Sequence, residues 1–231
     1  MTALVSLLLF LALFLLAIAI LYYPSHFRTP KQYTLSKDSG IVLSISISSN
    51  HAFSKIPAQS ITLLENLGVE GDCHCGSEVQ HLSRRKSKPY PPNLRQVHLI
   101  QSELFQEFRD PGSDGMKYIV RPGDLGENIT TAGLDLLGLG VGTKLHFINS
   151  ATNESEGNHA VVRVTGLRNP CLQISRFQSG LQERCLVRNE AREIVDRRAG
   201  IMSVVEVGGV VTKDARIVAE KPKIYEALAC V

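Results

Sequence analysis

The chain has five cysteines and seven histidines, and two short stretches set some of them where chemistry is possible. Cys171 closes the string Arg168-Asn169-Pro170-Cys171, just past a β-type run and the turn former Gly166. A proline at a strand end puts the next side chain on a rim, and a neighbouring guanidinium favours the thiolate form of a cysteine. A thiolate is both a soft metal ligand and a nucleophile; the plainer alternative is a buried, inert structural thiol. The second stretch is Asp72-Cys73-His74-Cys75, with His81 close behind. A four-ligand zinc site can be drawn from Cys73, His74, Cys75 and His81. Its spacing argues against a structural zinc module, because C-x-C holds both thiolates on an extended strand, not on a knuckle turn.

Other motifs carry less. Gly138, Gly140 and Gly142 in LGLGVGT lack the G-x-G-x-x-G spacing of a phosphate loop and read as strand-ending turns. Arg84, Arg85, Lys86 and Lys88 read as a solvated basic loop, or as a holder for a phosphorylated small molecule. A net charge of +3 over 231 residues gives no footprint for nucleic acid. The triplets Asn128-Ile129-Thr130 and Asn153-Glu154-Ser155 match glycosylation acceptors, a pattern that arises often by chance.

The elements that must position these groups are mostly strands. Alternating or β-branched runs predict strands over 41–47, 60–64, 96–100, 143–148, 160–165, 201–207 and 215–219. Helices are predicted over 102–108 and 189–198, and 83–93 reads as an exposed, proline-rich loop. Many short strands with few helices argue a barrel or sandwich over βαβ units. Disordered, collagen-like and multi-span membrane chains are excluded by composition.

The N-terminus is a different material. All of residues 1–23 except Thr2 and Ser6 are apolar or aromatic, and none has a charged side chain. About 20 helical residues span a bilayer's hydrocarbon core, so residues 3–21 read as a transmembrane helix with Tyr22 and Tyr23 at the interface. A cleaved signal peptide is the competing reading, but a basic n-region is missing. Arg28, Lys31 and Lys37 follow the span, which places the soluble part in the cytosol. The odd cysteine count agrees with reduced thiols. The expected organisation is an anchor over 1–23, a linker over 24–40, a domain over 41–222 and a tail over 223–231. The outer mitochondrial membrane and the endoplasmic reticulum both suit such a single-pass protein.

The strings GVEGDCHCG, QVHLIQSE, PGDLGENITTAGLDL, GLGVGTKLHF, VTGLRNPC and AGIMSVVEVGG occur in this order from about residue 41 to 222. Together they resemble the MOSC family, the molybdenum-cofactor-sulfurase C-terminal domains. The resemblance implies a MOSC-type β-barrel, similar to the pyruvate-kinase β-barrel: mainly β with a few helices. It also implies a molybdenum cofactor (molybdopterin) and, at the level of the family alone, an association with pyridoxal phosphate. Family members include bacterial proteins that reduce N-hydroxylated purines and a membrane-anchored amidoxime-reducing component. By this resemblance the molybdenum-binding cysteine is Cys171. The GEN motif falls on Gly126, Glu127 and Asn128, and G-x-x-G-D-x-H-x-G on Gly68, Gly71, Asp72, His74 and Gly76. Arg95 matches an arginine near the family's pocket. The sequence departs from the family at Cys73 and Cys75, in an enlarged loop over 77–93, and at Thr212-Lys213-Asp214.

The resemblance implies an oxidoreductase that takes oxygen from an N–O bond at a Cys171-ligated molybdenum. Asp72, His74 and Asn128 would handle protons or position the site, and Arg168, Arg95, Gly126 and Glu127 would bind the cofactor. The substrate would be a small molecule, with electrons from a separate donor protein. Two other roles compete: a carrier of the cofactor or of persulfide sulfur on Cys171, and a membrane scaffold that has lost the cofactor.

Overall fold

A computed structural model of the chain describes residues 38–81, 88–112, 115–149 and 159–231. The apolar segment 3–21, the cations Arg84, Arg85 and Lys86, and the triplet at Asn153 lie outside the described residues. Among the described residues no helix is long and apolar enough to cross a membrane.

Seven strands close a barrel in the order β13 (Arg216–Glu220), β7 (Lys144–Ile148), β8 (Ala160–Leu167), β11 (Ile201–Val207), β5 (Val97–Gln101), β6 (Ile129–Ala132) and β1 (Ser39–Ile47). Closure runs through β1, which pairs with β13 at Ser39↔Val218 and with β6 at Ile45↔Ile129. Only β5 and β6 run parallel; the other barrel pairs are antiparallel. β2 (Ile56–Ala58) extends β1, while β3 (Ser60–Leu64), β4 (Gly68–Val69) and β12 (Gly209–Thr212) form a small side sheet. The remaining pair, β9 (Leu186–Arg188) and β10 (Ile194–Arg197), is a hairpin.

The apolar pattern explains which strands sit where. In β11 the run Ile201-Met202-Ser203-Val204-Val205 is buried throughout, and this strand lies between β5 and β8. Its one polar member, Ser203, donates its hydroxyl to the Val97 carbonyl at 3.2 Å, so the burial leaves no orphaned group. β13 instead alternates, with Ile217 and Ala219 inward and Arg216 and Glu220 outward. Leu99, Leu145, Phe147 and Val162 fill the barrel interior.

A second apolar cluster supports the site. Leu104, Phe105 and Phe108 on the helix Glu103–Arg109 meet Leu125, Ile174, Leu181 and Cys185. Ile174 belongs to the helix Leu172–Phe177, which begins directly after Cys171. Burying such a side chain is worth about 1.5–3 kcal/mol, so Ile174 anchors the helix that follows the thiol.

The expected strands all form, with ends shifted by at most two residues. The expected helix over 189–198 does not. That segment is the β9–β10 hairpin, whose turn holds Arg192 at φ 62 and whose Asn189 Oδ1 accepts the Glu193 N–H at 2.9 Å. Its charged residues suit a helix by propensity but give it no apolar face to dock. The short helices Leu172–Phe177 and Leu181–Arg184 were not expected. The segment 223–231, expected as a tail, turns back onto the barrel. The Leu167 N–H donates to the Ala229 carbonyl at 2.8 Å, and the Val141 N–H donates to the Glu226 carbonyl at 2.9 Å.

Candidate functional site

One end of the barrel gathers the candidate residues. The ends of β1 and β8 and the beginnings of β5, β6 and β11 open onto a cavity of about 750 Å³. Cys171, Arg168, Arg95, His74, Gly126 and Asn128 all line it. Asp72 and Glu127 do not, and each instead lies buried behind a residue that does.

Asp72 is the hub of one wall. Its Oδ2 accepts from Lys55 Nζ at 2.6 Å and from Asn128 Nδ2 at 3.0 Å. Its Oδ1 accepts the His74 backbone N–H at 3.0 Å and faces His74 Nδ1 at 3.2 Å. Burial opposes the charged form of this carboxylate. The hydrogen bonds from His74 and the Lys55 ammonium outweigh it and hold the group well below the usual carboxylate range. Burial also pulls Lys55 down, against the pull of Asp72 in the other direction. The pair is therefore a buried ion pair with its hydrogen bonds made, the case in which burial of charge is tolerated. Asn93 closes the loop by donating its Nδ2 to the carbonyls of His74 and Gly76, both at 2.9 Å.

Asn128, expected to handle protons or position the site, bridges two strands and Asp72. Its Nδ2 reaches both Asp72 and the Ser46 carbonyl, its Oδ1 accepts the His98 N–H at 3.3 Å, and its own N–H donates to the His98 carbonyl at 2.9 Å. Its burial also removes the triplet at Asn128 as a glycosylation acceptor. Gly126 has a steric reason for its identity. It adopts φ +79, and a Cβ there would stand 2.5 Å from the Phe53 carbonyl oxygen. This close approach locks the loop 123–126 against the 53–55 backbone.

The opposite character marks the Cys171 side. Cys171 is half-buried in extended conformation, and its Sγ has a 3.6 Å contact to Gln173 Oε1. Arg168 is 8% exposed, lies 5.9 Å over the Phe53 ring and keeps a buried Nη1 with no hydrogen-bond partner. Burial lowers its basicity, while Cys171, Cys185 and Glu127 act to raise it. Glu127 accepts the Gly123 N–H at 2.6 Å and the Thr130 hydroxyl at 3.0 Å on Oε1, leaving buried Oε2 without a partner. Burial pushes its carboxyl up, against the hydrogen bond from Gly123. Cys185 shows what an inert thiol is here: burial pushes it up to about 12 despite the nearby guanidinium of Arg168.

Sequence reasoning missed Lys55, His51, His98 and Arg176, which also line the cavity. His98 donates or accepts at 2.8 Å with the Ala199 carbonyl; as a carbonyl only accepts, Nε2 carries the proton. Burial, then the Arg168 charge, hold this imidazole neutral, well below its ordinary range. Lys55, His51 and Arg176 sit in no motif, and His98, though inside QVHLIQSE, was not singled out there. Only the fold brings them to Cys171.

A family model for the MOSC domain matches residues 71–218, well over half of the chain. The YuaD protein from Bacillus subtilis is similar in structure, with TM-score 0.62 and 19% identity over 80% of this chain and 97% of that one. YiiM from Geobacillus stearothermophilus has TM-score 0.53 and 15% identity over 82% and 79%. YiiM from Escherichia coli has TM-score 0.51 and 17% identity over 82% and 73%. At such identities the likeness establishes the shared barrel. No curated protein matches the sequence.

Proposed function

The chain belongs to the MOSC domain family, and from that premise we propose that its cavity holds a molybdenum–pterin cofactor for reduction of N–O bonds. One observation carries the reading. A buried guanidinium with an orphaned Nη1 shares a wall with the Cys171 thiol, in a cavity of about 750 Å³. An unsatisfied buried donor costs about 1–3 kcal/mol, and a phosphate-bearing anion offsets that cost. The residues fit the group: a soft donor for the metal and three arginines, Arg168, Arg95 and Arg176, for the phosphate.

When bound, the cofactor would supply two-electron redox and oxygen-transfer chemistry, and Cys171 would hold its metal. Arg168 reaches the phosphate from a fixed, buried position, so little side-chain freedom is lost on binding. Asp72 and Asn128 act through His74, keeping its ring at the cavity wall where it passes the protons that N–OH reduction consumes. His98, neutral and locked to Ala199, presents no positive charge to compete with Arg168 for the anion. Lys55, the lysine that lines the cavity among the described residues, is committed to Asp72. We extend the proposal to residues 3–21 as a membrane anchor, with a separate electron-donor protein at the same cytosol-facing surface.

The test is metal analysis of the full purified chain, with amidoxime and hydroxylamine reduction from an artificial donor. Cys171→Ala is expected to lose both molybdenum and turnover while melting like the parent. Full molybdenum retention in that variant would sink the assignment. A cyanide-reactive sulfur on Cys171 in protein without molybdenum would replace it with sulfur carriage.

A further inference from the structure

Beside the cofactor cavity, this chain carries two thiols, Cys73 and Cys75, that the proposed reduction does not use. The structure separates the two. Ligand atoms of His51, Cys73 and His74 lie within 4.8 Å of one another, and Cys75 is outside the group. Residues far apart in the chain make the cluster: His51 follows the end of β1, while Cys73 and His74 follow β4.

The geometry is close to a coordination sphere. Cys73 Sγ and His74 Nδ1 are 3.2 Å apart, near the roughly 3.5 Å edge of a tetrahedron built with zinc–sulfur and zinc–nitrogen bonds. The His51 ring stands edge-on to His74 with centroids 5.5 Å apart. His51 is an exposed side chain on a loop, free to adjust its ring toward the other two donors. His74 Nδ1 also lies 3.2 Å from Asp72 Oδ1, so zinc bound through Nδ1 takes the place of that carboxylate contact.

We propose that Cys73, His51 and His74 form a zinc site in the wall of the cavity, with the fourth position open to solvent. Thiolate and imidazole are the donors that select zinc over magnesium or calcium, and three protein ligands leave one exchangeable position. Zinc binding releases the Cys73 thiol proton to solvent and forms a Zn–S bond with no change of oxidation state. With His74 on the metal, the water in the fourth position takes over proton exchange with the cavity.

Zinc and cobalt(II) titrations of the full chain test the site. The parent is expected to take up one equivalent of zinc and, with cobalt, to show a thiolate-to-cobalt charge-transfer band. Cys73→Ser should remove the band, and His51→Ala should weaken binding about 10–100-fold. His51 is exposed, so its removal spares the fold, and matched melting curves would verify this. Cys75→Ser and Cys171→Ala should bind zinc like the parent, which separates this site from the molybdenum assignment. A band that survives in Cys73→Ser, or vanishes in Cys75→Ser or Cys171→Ala, overturns the site. So does a parent chain with no saturable uptake.

Discussion

The two walls of the cavity follow opposite rules. Around Asp72 both carboxylate oxygens are satisfied, Oδ2 by Lys55, Asn128 and the Ser48 N–H and Oδ1 by the His74 N–H, and Asn93 fastens the loop carbonyls beside them. Around Cys171, Arg168 and Glu127 each keep a buried polar atom without a partner, and the thiol has one long contact. Satisfied networks in a low-dielectric interior fix geometry, whereas unsatisfied ones carry a standing cost. Of these atoms, Arg168 Nη1 belongs to a residue that lines the cavity, where an anion can remove its cost. Scaffold and binding surface are thus distinct, though only a few side chains apart.

The largest break should come from the satisfied wall. Asp72→Ala leaves Lys55 buried and uncompensated, and should cost about 3–5 kcal/mol of stability, read as a shift in denaturation midpoint. A loss under about 1 kcal/mol would show the pair to be solvated, and the comparison would fail. On the other wall, Arg168→Met should leave stability unchanged or raised, since an apolar side chain replaces a buried charge. Cofactor retention should nevertheless fall about 10–100-fold, the worth of a charged hydrogen bond. A variant that unfolds yet keeps the cofactor when refolded would reverse the two roles.

Acid sharpens the contrast through sign. The folded value for Asp72 lies below 3.8, so its contribution is present at neutral pH. It is lost as pH falls from about the unfolded value through the folded one. Glu127 is raised above 4.5, so mild acidification from its folded value down to that point adds stability. Denaturation midpoints measured across this range should lose their steep acid limb in Asp72→Asn and their mild-acid gain in Glu127→Gln. Curves that stay parallel to the parent would refute the assignment of these limbs. The smallest effect belongs to Glu127→Gln at neutral pH. An amide oxygen still accepts from Gly123 and Thr130, so stability should change by less than about 1 kcal/mol.

How much was legible follows from range. Strands such as 60–64 and 201–207 declare themselves through local alternation or continuous burial, and the structure places them there. Asp72, His74 and Cys171 were found because motifs surround them. Lys55 and His98 were not, because their roles depend on partners 17 and 101 residues away, which no local pattern records. The reading of 189–198 failed for a related reason. Charge content resembled a helix, but Arg192 at φ 62 and the Asn189 turn decided the backbone. The zinc donors first drawn from Cys73, His74, Cys75 and His81 were adjacent in sequence. Among the described residues the cluster in space keeps Cys73 and His74, drops Cys75 and His81, and adds His51 from another loop.

The return of segment 223–231 to the barrel sets an order of assembly. The end of β8, from which the Arg168–Cys171 loop departs, is clasped at Leu167 by Ala229 and Val231. A ribosome makes those residues after the last barrel strand, so a nascent chain can present every strand and still lack the clasp. A change at Ala229 or Val231 therefore acts on the loop that carries Cys171 through the end of β8.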